Sequence, residues 1–175
     1  MSPNSAPPKT EIRPAHALDA EELAKLHVAV WRATYRDFAT PEALAKLDET
    51  ARLPFWRTMT ASELPQPGAL VAERASAVIG VVSFARGRHP AFGGRMEITH
   101  LYVALSAQGT GIGRDLLTAV LDRRATFPDP RLALAVVRQN TAARAFYERL
   151  GGREIGAFID PGPLWRSENI VVAWD

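Results

Sequence analysis

The chain contains no cysteine, which excludes disulfide bridges, thiolate nucleophiles and metal sites built on cysteine. Histidine is also scarce, and the four histidines are scattered without metal-ligand spacing, so no metal cofactor is expected. No run of residues approaches the roughly 18 apolar residues that a membrane helix requires. The first ten residues, MSPNSAPPKT, lack the apolar core of a secretion signal. We therefore expect a cytoplasmic protein with no membrane partner.

A strong charge of either sign is missing as well. The sequence has 21 basic and 19 acidic residues, and the net charge is only +2. Because no basic run marks a binding face, no nucleic-acid partner is expected. The length of 175 residues and the 47% hydrophobic content fit one domain with a sizeable core. Residues 1–10 are rich in proline and small polar residues and are predicted to be a mobile tail, with the domain over 11–175.

One stretch, EITHLYVALSAQGTGIG, carries a strand, a glycine turn and the start of a helix. It begins at Glu97, its strand runs over Ile98–Val103, and apolar residues at helical spacing then continue to about Arg124. The turn holds three glycines: Gly109, Gly111 and Gly113. The first amides of a helix have no carbonyl partner within it, and glycine lets an anion approach the backbone closely. A phosphorylated ligand is therefore the first hypothesis.

Spacing separates three phosphate-binding motifs that compete for this turn. A P-loop would end in Gly-Lys-Ser/Thr, but Gly113 is followed by Arg114 and Asp115. A dinucleotide fingerprint would place its third glycine at Arg114 and an acidic residue at the end of the next strand, where two valines stand. The remaining pattern, Gln108-Gly109-Thr110-Gly111-Ile112-Gly113, resembles the acetyl-CoA pyrophosphate loop of the Gcn5-related N-acetyltransferases (GNAT). The preceding Leu101-Tyr102-Val103 stands where that family has a bulged strand.

A second motif downstream resembles the same family. The segment RLALAVVRQNTAARAFYERLGG reads as a strand over Leu132–Val137, then Asn140 in the N-cap position, then a helix closed by Gly151. Within that helix Phe146 and Tyr147 lie on one apolar face. The order and spacing of both motifs match the family.

The resemblance implies a single-domain α/β fold with a mixed, mostly antiparallel sheet of six or seven strands flanked by helices. Two parallel strands, joined by a crossover helix, are expected to diverge and admit acetyl-CoA. Strands are predicted at 11–13, 69–73, 78–84, 98–103, 132–137, 153–158 and 170–174. Helices are predicted from Asp19, with Glu22 completing a capping box, to about Arg36, at 41–47, at 50–60, and after each of the two motifs. A turn is predicted at 62–68 and a loop at 86–95.

The resemblance also implies the residues that hold acetyl-CoA, the expected cosubstrate, without a metal. They are Leu101, Val103, Gln108, Gly109, Thr110, Gly111, Ile112, Gly113, Arg114 and Asn140. The backbone of 109–114 is expected to contribute most, because amides at a helix start are already oriented. The amide of Val103 is the candidate for stabilising the tetrahedral oxyanion. Asn140 is expected both to cap its helix and to bond the pantetheine.

Acetyl transfer to an amine needs a base for the ammonium proton and an acid for the departing thiolate. Tyr147, seven residues after Asn140, matches the family's acid, although a half-buried packing aromatic is the alternative. Glu97 matches the general base of the histone-acetylating branch, acting through a water, and its alternative is a solvated carboxylate. Strict alternation would put Glu97 and Val103 on one sheet face, with His100, a second candidate base, on the opposite face. The branch that acetylates protein N-termini carries a glutamate where Ala135 stands here, which argues against a close copy of that branch.

The predicted function is direct acetyl transfer from acetyl-CoA to a primary amine. Trp31 and Tyr35 match the border of the family's acceptor pocket, although aromatic residues at helical spacing are often core. The acceptor could be a peptide, a lysine, a polyamine or an antibiotic, and a homodimer is possible by resemblance to the family. A non-catalytic acyl-CoA-binding regulatory domain and a nucleotide-binding redox domain are the alternatives.

Overall fold

The computed structural model describes residues 9–61 and 68–175. The predicted turn at 62–68 falls, apart from Gly68, outside the described residues, as do residues 1–8 of the predicted tail, whereas Thr10 begins the first strand. The strands are β1 (Thr10–Pro14), β2 (Gly68–Arg74), β3 (Ala77–Arg86), β4 (Met96–Val103), β5 (Leu132–Val137), β6 (Arg153–Asp160) and β7 (Ser167–Trp174). The helices are α1 (Ala20–Tyr35), α2 (Pro41–Lys46), α3 (Glu49–Ala61), α4 (Ile112–Arg123) and α5 (Thr141–Arg149).

The strands form one seven-stranded sheet in the order β1-β2-β3-β4-β5-β7-β6. Neighbouring strands run antiparallel except β4 and β5, which are parallel because α4 carries the chain back between them. This confirms the predicted mixed, mostly antiparallel sheet.

Each face of the sheet has its own core. On the face that α4 covers, called the α4 face, the fully buried Leu116 packs with Val82, Phe84 and Leu134. On the other face, called the α1 face, Leu23 of α1 and Trp56 of α3 pack with Val81. Because apolar side chains alternate along β3, both faces are anchored by the same central strand.

The start of α1 differs from the predicted capping box. The carboxylate of Asp19 accepts two bonds from Arg13, at 2.8 and 2.9 Å, and one from the amide of His16 at 2.8 Å. The carboxylate of Glu22 accepts from the amide of Val78 at 3.1 Å. Two-pronged bonding to a guanidinium is stronger than one bond to an amide, so Asp19 joins α1 to β1 instead of capping it.

We expect Leu116→Ala to lower the free energy of unfolding by about 2–5 kcal/mol, because the side chain is fully buried and leaves a cavity. Urea denaturation followed by circular dichroism measures the change. The control is Leu105→Ala, whose side chain is 53% exposed and whose removal should change the value by less than about 0.5 kcal/mol. Equal losses in both variants would contradict the assignment of the core.

Candidate active site

A cleft opens where β4 and β5 part. Their parallel pairing covers only Met96 with Leu132 and Glu97 with Ala133, and the strands then diverge. The resulting cleft has a volume of about 570 Å³ and lies between the ends of β4 and β5, the glycine turn and α5. A gap of this kind leaves two strand edges without a neighbouring strand, so their backbone groups are open to a ligand.

The edge of β4 that faces the gap carries backbone donors. The amide of Ala104 donates to the carbonyl of Ile79 on β3 at 2.8 Å. Because successive amides of a strand point to opposite edges, the N–H groups of Val103 and Leu101 point toward the gap. The carbonyl of Val103 accepts from Nε2 of Gln108 at 3.1 Å, which ties the glycine turn to the end of the strand.

A bulge in β4 determines to which face of the sheet each side chain of this strand points. Phe84 lies opposite Ile98 and Ser83 lies opposite His100, so Thr99 is an extra residue in β4. Ile98 and Val103 pack on the α4 face, whereas the ring of His100 lies 4.8 Å from that of His27, on the α1 face. Glu97 precedes Ile98 and therefore points to the α1 face.

Two predictions about these faces are consequently wrong. Glu97 and Val103 lie on opposite faces of the sheet, and Glu97 and His100 lie on the same face. Strict alternation fails because one inserted residue reverses the side-chain directions beyond it. The bulge itself lies at Thr99, not at the expected Leu101-Tyr102-Val103 segment.

The glycine turn adopts the conformation that its composition predicts. Gly109 and Gly111 have φ angles of +74° and +91°, a region that side chains other than glycine rarely occupy. Gly111 is the N-cap of α4, and among the residues that the structure describes no side chain caps the first amides of that helix. These amides open toward the cleft with the positive end of the helix dipole, as an anion-binding turn requires.

Most of the predicted coenzyme residues line the cleft: Leu101, Val103, Gln108, Gly109, Gly111, Gly113, Arg114 and Asn140. The side chain of Thr110 instead donates to the carbonyl of Ala107 at 2.6 Å and stabilises the turn. The side chain of Ile112 is 3% exposed and belongs to the core on the α4 face. Asn140 lines the cleft and also caps α5, because its Oδ1 accepts from the amide of Ala143 at 3.2 Å.

Tyr147 lines the same cleft from α5. Its ring lies 5.3 Å from that of Phe146 and 6.0 Å from that of Trp174, each in an edge-to-face arrangement. Burial, with a smaller contribution from Tyr35, raises the pKa of the Tyr147 hydroxyl above its usual value. The phenol is therefore fully protonated at neutral pH.

Glu97 forms the last residue pair between β4 and β5, with Ala133, and it is not among the residues that line the cleft, which begin at Ile98 on β4. Burial raises the pKa of its carboxyl to about 7, and the positive charge of Arg88 opposes that rise. A carboxyl that titrates near neutral pH can accept a proton from an ammonium group. The sequence motifs did not single out Arg88, which follows β3 in the loop beside Glu97.

His100 lines the cleft but is poorly suited to accept a proton. Its Nδ1 lies 3.1 Å from the hydroxyl of Ser83. Burial, together with the charge of Arg52, lowers the pKa of His100 to about 3. The imidazole is therefore neutral and hard to protonate at neutral pH.

The two predicted acceptor aromatics have different positions. Tyr35 lines the cleft, whereas Trp31 is 8% exposed and packs with Val28. The ring of Trp31 lies 5.1 Å from that of Tyr35, and the ring of Trp165 lies 6.1 Å from Tyr35 on another side. Trp31 and Trp165, the latter in the loop between β6 and β7, are thus aromatic neighbours of Tyr35, and neither is among the residues that line the cleft.

Two acidic residues near this loop already have partners. Glu168 pairs with Arg138 at 2.7 Å, and the carboxylate of Asp160 accepts from the amide of Gly162 at 2.8 Å. Cleft residues that the sequence motifs did not single out include Thr34 and Thr99. Within residues 9–61 and 68–175 there is no cluster of three metal-ligating side chains, and no helix is long and apolar enough to cross a membrane.

The sequence profile of the acetyltransferase (GNAT) family matches residues 28–152. A protein of Mycobacterium tuberculosis named as a probable N-acetyltransferase is 30% identical over 146 residues, which cover 82% of this chain and 79% of that protein. The chain therefore belongs to the GNAT family and is an acetyl-CoA-dependent N-acetyltransferase.

Solved structures show the same fold. The structure of yncA from Salmonella typhimurium with its cofactor acetyl-CoA superposes with a TM-score of 0.72 and 22% identity, covering 95% of this chain and 94% of that one. The ribosomal-protein-alanine N-acetyltransferase of Brucella melitensis superposes with a TM-score of 0.71 and 25% identity, covering 94% and 98%.

We expect Gly111→Ala to raise the Kd for coenzyme A about tenfold, because a side chain strains the left-handed backbone that presents the first amides of α4. The added Cβ would also lie 3.2 Å from Nη2 of Arg114. Isothermal titration calorimetry measures the affinity. The control is Gly156→Ala, since a Cβ there meets no atom within 4 Å. An unchanged Kd in folded Gly111→Ala would contradict this role of the turn.

Proposed function

We propose that this enzyme transfers the acetyl group of acetyl-CoA directly to a primary amine, with Tyr147 as general acid and Glu97 as general base. The observation that carries this proposal is the gap between β4 and β5, which brings the glycine turn, the β4 edge amides and Tyr147 to one cleft. A ligand whose pyrophosphate bonds the turn can lay its extended arm along the open strand edge.

The proposed coenzyme contacts follow from the groups that line the cleft. The amides of 109–114 bond the pyrophosphate, and the exposed guanidinium of Arg114 adds positive charge beside it. The edge amides of Leu101 and Val103 bond the pantetheine arm and the acetyl carbonyl. The side-chain Nδ2 of Asn140, whose Oδ1 caps α5, adds a further donor.

The proposed chemistry begins at the amine. Glu97 takes a proton from the ammonium group through a water, and the neutral amine attacks the thioester carbon. The oxyanion that forms is stabilised by the amide of Val103, a contribution of a few kcal/mol for one such donor. The C–S bond then breaks and the Tyr147 hydroxyl donates its proton to the departing thiolate, while the nitrogen loses its extra proton to water, from which Tyr147 is reprotonated. Burial keeps Tyr147 protonated, which is the form that a donor requires.

The proposal of a cationic amine rests on the half-buried carboxyl of Glu97. Asp160 and Glu168 do not add to it, because both are already bonded within the chain. A carboxyl with a pKa of about 7 is matched to accept a proton at neutral pH. Tyr35, which lines the cleft, would contact the carbon skeleton of the acceptor, and Trp165 packs 6.1 Å from its ring.

The acceptor class is tested by screening amines with acetyl-CoA and following thiol release. The panel contains a peptide with N-terminal alanine, a lysine peptide, a polyamine and an aminoglycoside. Turnover with one class assigns the acceptor, and coenzyme A should protect the chain against thermal unfolding while NAD should not. Binding of coenzyme A without turnover of any amine would favour a non-catalytic regulatory domain.

We expect kcat to rise tenfold per pH unit below about pH 7 and to level off above it, because only ionised Glu97 accepts a proton and its pKa is about 7. Glu97→Gln should lower kcat at pH 8 roughly hundredfold and abolish the rise of kcat with pH below about pH 7. Stopped assays of thiol release over pH 5–9 measure both. Glu148→Gln, an exposed carboxylate of α5, is the matched control. If kcat of Glu97→Gln still rose with pH below about pH 7, Glu97 would be excluded as the base.

We expect Tyr147→Phe to lower kcat roughly hundredfold while the Kd for coenzyme A stays within about twofold, because the ring remains and only the proton donor is lost. An acetyl donor with a much more acidic leaving group, such as p-nitrophenyl acetate, needs no proton on departure. The ratio of wild-type to variant rates should therefore shrink with that donor. Equal ratios with both donors would assign Tyr147 a packing role.

A further inference from the structure

The layer between α1, α3 and the sheet, on the α1 face, contains a partly buried cation without a counter-ion. Arg52 lies on α3, one helical turn before Trp56, and its Nε is buried without a hydrogen-bond partner among the described residues. None of the ion pairs within residues 9–61 and 68–175 includes Arg52. Burying a charge without a partner is costly, so an unpaired guanidinium in this layer calls for an anion from elsewhere.

The direction of α3 places Arg52 near the end of α1. Nη2 of Arg32, in the last turn of α1, donates to the carbonyl of Leu47, just before α3, at 2.5 Å. Further along α3, the ring of Trp56 lies 6.0 Å from that of His27, which precedes Arg32 on α1. The two helices therefore run in opposite directions, and Arg52 lies level with the part of α1 between residues 27 and 32.

Arg52 acts on residues of the acceptor side of the cleft. Val30 of α1 and His100 and Tyr102 of β4 line the cleft, although Arg52 itself is not among the lining residues. Burial lowers the pKa of His100 to about 3 and raises that of Tyr102 above its usual value, and the positive charge of Arg52 lowers the pKa of both groups. The guanidinium is therefore close enough to attract a negative charge at this side of the cleft.

The neighbours of Arg52 do not neutralise it. His27 and His100 carry no charge at neutral pH, because burial lowers the pKa of each, and burial keeps Tyr102 protonated. The carboxyl of Glu97 points to the same face of the sheet but forms no ion pair with Arg52. This face thus offers a carboxyl for an ammonium group and, separately, a cation for an anionic group.

We propose that the acceptor carries a carboxylate as well as its primary amine, and that Arg52 selects it by attracting this carboxylate. A guanidinium has only hydrogen-bond donors, and its planar shape matches a carboxylate. The acceptor is then a free amino acid or a similar zwitterion, and not a polyamine or an aminoglycoside. This inference rests on the proposed acetyl transfer to an amine, and it makes Arg52 a specificity-determining residue that takes no part in the chemical steps.

The test compares the common amino acids with their α-amides, which keep the amine and lose the carboxylate. Thiol release from acetyl-CoA gives kcat/KM for each pair. The wild-type value should be at least about tenfold higher for an amino acid than for its amide. Arg52→Gln should lower the value for that amino acid at least about tenfold and that for the amide less than about threefold. Arg52→Lys, which keeps the charge, should retain part of the preference.

A matched control and a stability measurement separate selection from a structural role. Arg57→Gln changes an exposed arginine of the same helix and should leave the preference intact. The Tm of Arg52→Gln without ligand should stay within about 2 °C of the wild-type Tm or exceed it, because no bonded partner is lost. A large fall in Tm, or an equal loss of kcat/KM for amino acid and amide, would assign Arg52 a structural role and overturn the proposal.

A binding measurement distinguishes failure of this inference from failure of the proposed acetyl transfer. The N-acetyl derivatives of the same amino acids and amides are added to the coenzyme A complex, and the Tm is measured. An N-acetyl amino acid should raise the Tm of the wild-type complex more than its amide does, and this difference should vanish in Arg52→Gln. That result without turnover of any amine would contradict acetyl transfer but support carboxylate binding at Arg52. Equal effects of acid and amide, or turnover without preference for the carboxylate, would overturn the inference.

Discussion

The arrangement of this site depends on one constraint, the parting of β4 and β5 after two residue pairs. A parallel pair in the middle of a sheet normally satisfies its backbone donors along its whole length. Here the amides of Leu101 and Val103 are aimed at a gap, and the glycine turn and α5 close around it. The cleft is therefore lined by backbone groups whose positions the sheet fixes, which is a rigid way to hold an extended, phosphorylated ligand.

The bulge at Thr99 places the residues of the two proposed catalytic steps on the two faces of the sheet. Val103 and Tyr147 belong to the α4 side of the gap, where a thioester and its leaving thiolate would lie. Glu97 and His100 belong to the α1 side, where Tyr35 at the end of α1 lines the cleft. The amine and the coenzyme would thus approach the gap from opposite faces. Burial also favours Glu97 over His100 as the proton acceptor at neutral pH, because it raises the pKa of Glu97 and lowers that of His100.

The sequence predicted the elements that depend on local patterns. The strands, the helices and the conformation of Gly109 and Gly111 follow from apolar periodicity and from the need for positive φ. The bulge at Thr99 could not be predicted from local sequence patterns, because it arises from the pairing of β4 with β3, two segments that are separate in the chain. Asp19 was predicted as a helix cap but bonds Arg13, because a distant guanidinium outcompetes the nearby amides. The contact of Trp165 with Tyr35 is likewise a tertiary event between distant segments.

The most direct test of the account is a crystal structure of the chain with coenzyme A bound. The account predicts pyrophosphate oxygens about 3 Å from the amides of residues 109–114, and the pantetheine arm along the gap beside Leu101 and Val103. The sulfur should lie within hydrogen-bonding reach of the Tyr147 hydroxyl. A coenzyme bound elsewhere, with the turn empty, would contradict the account.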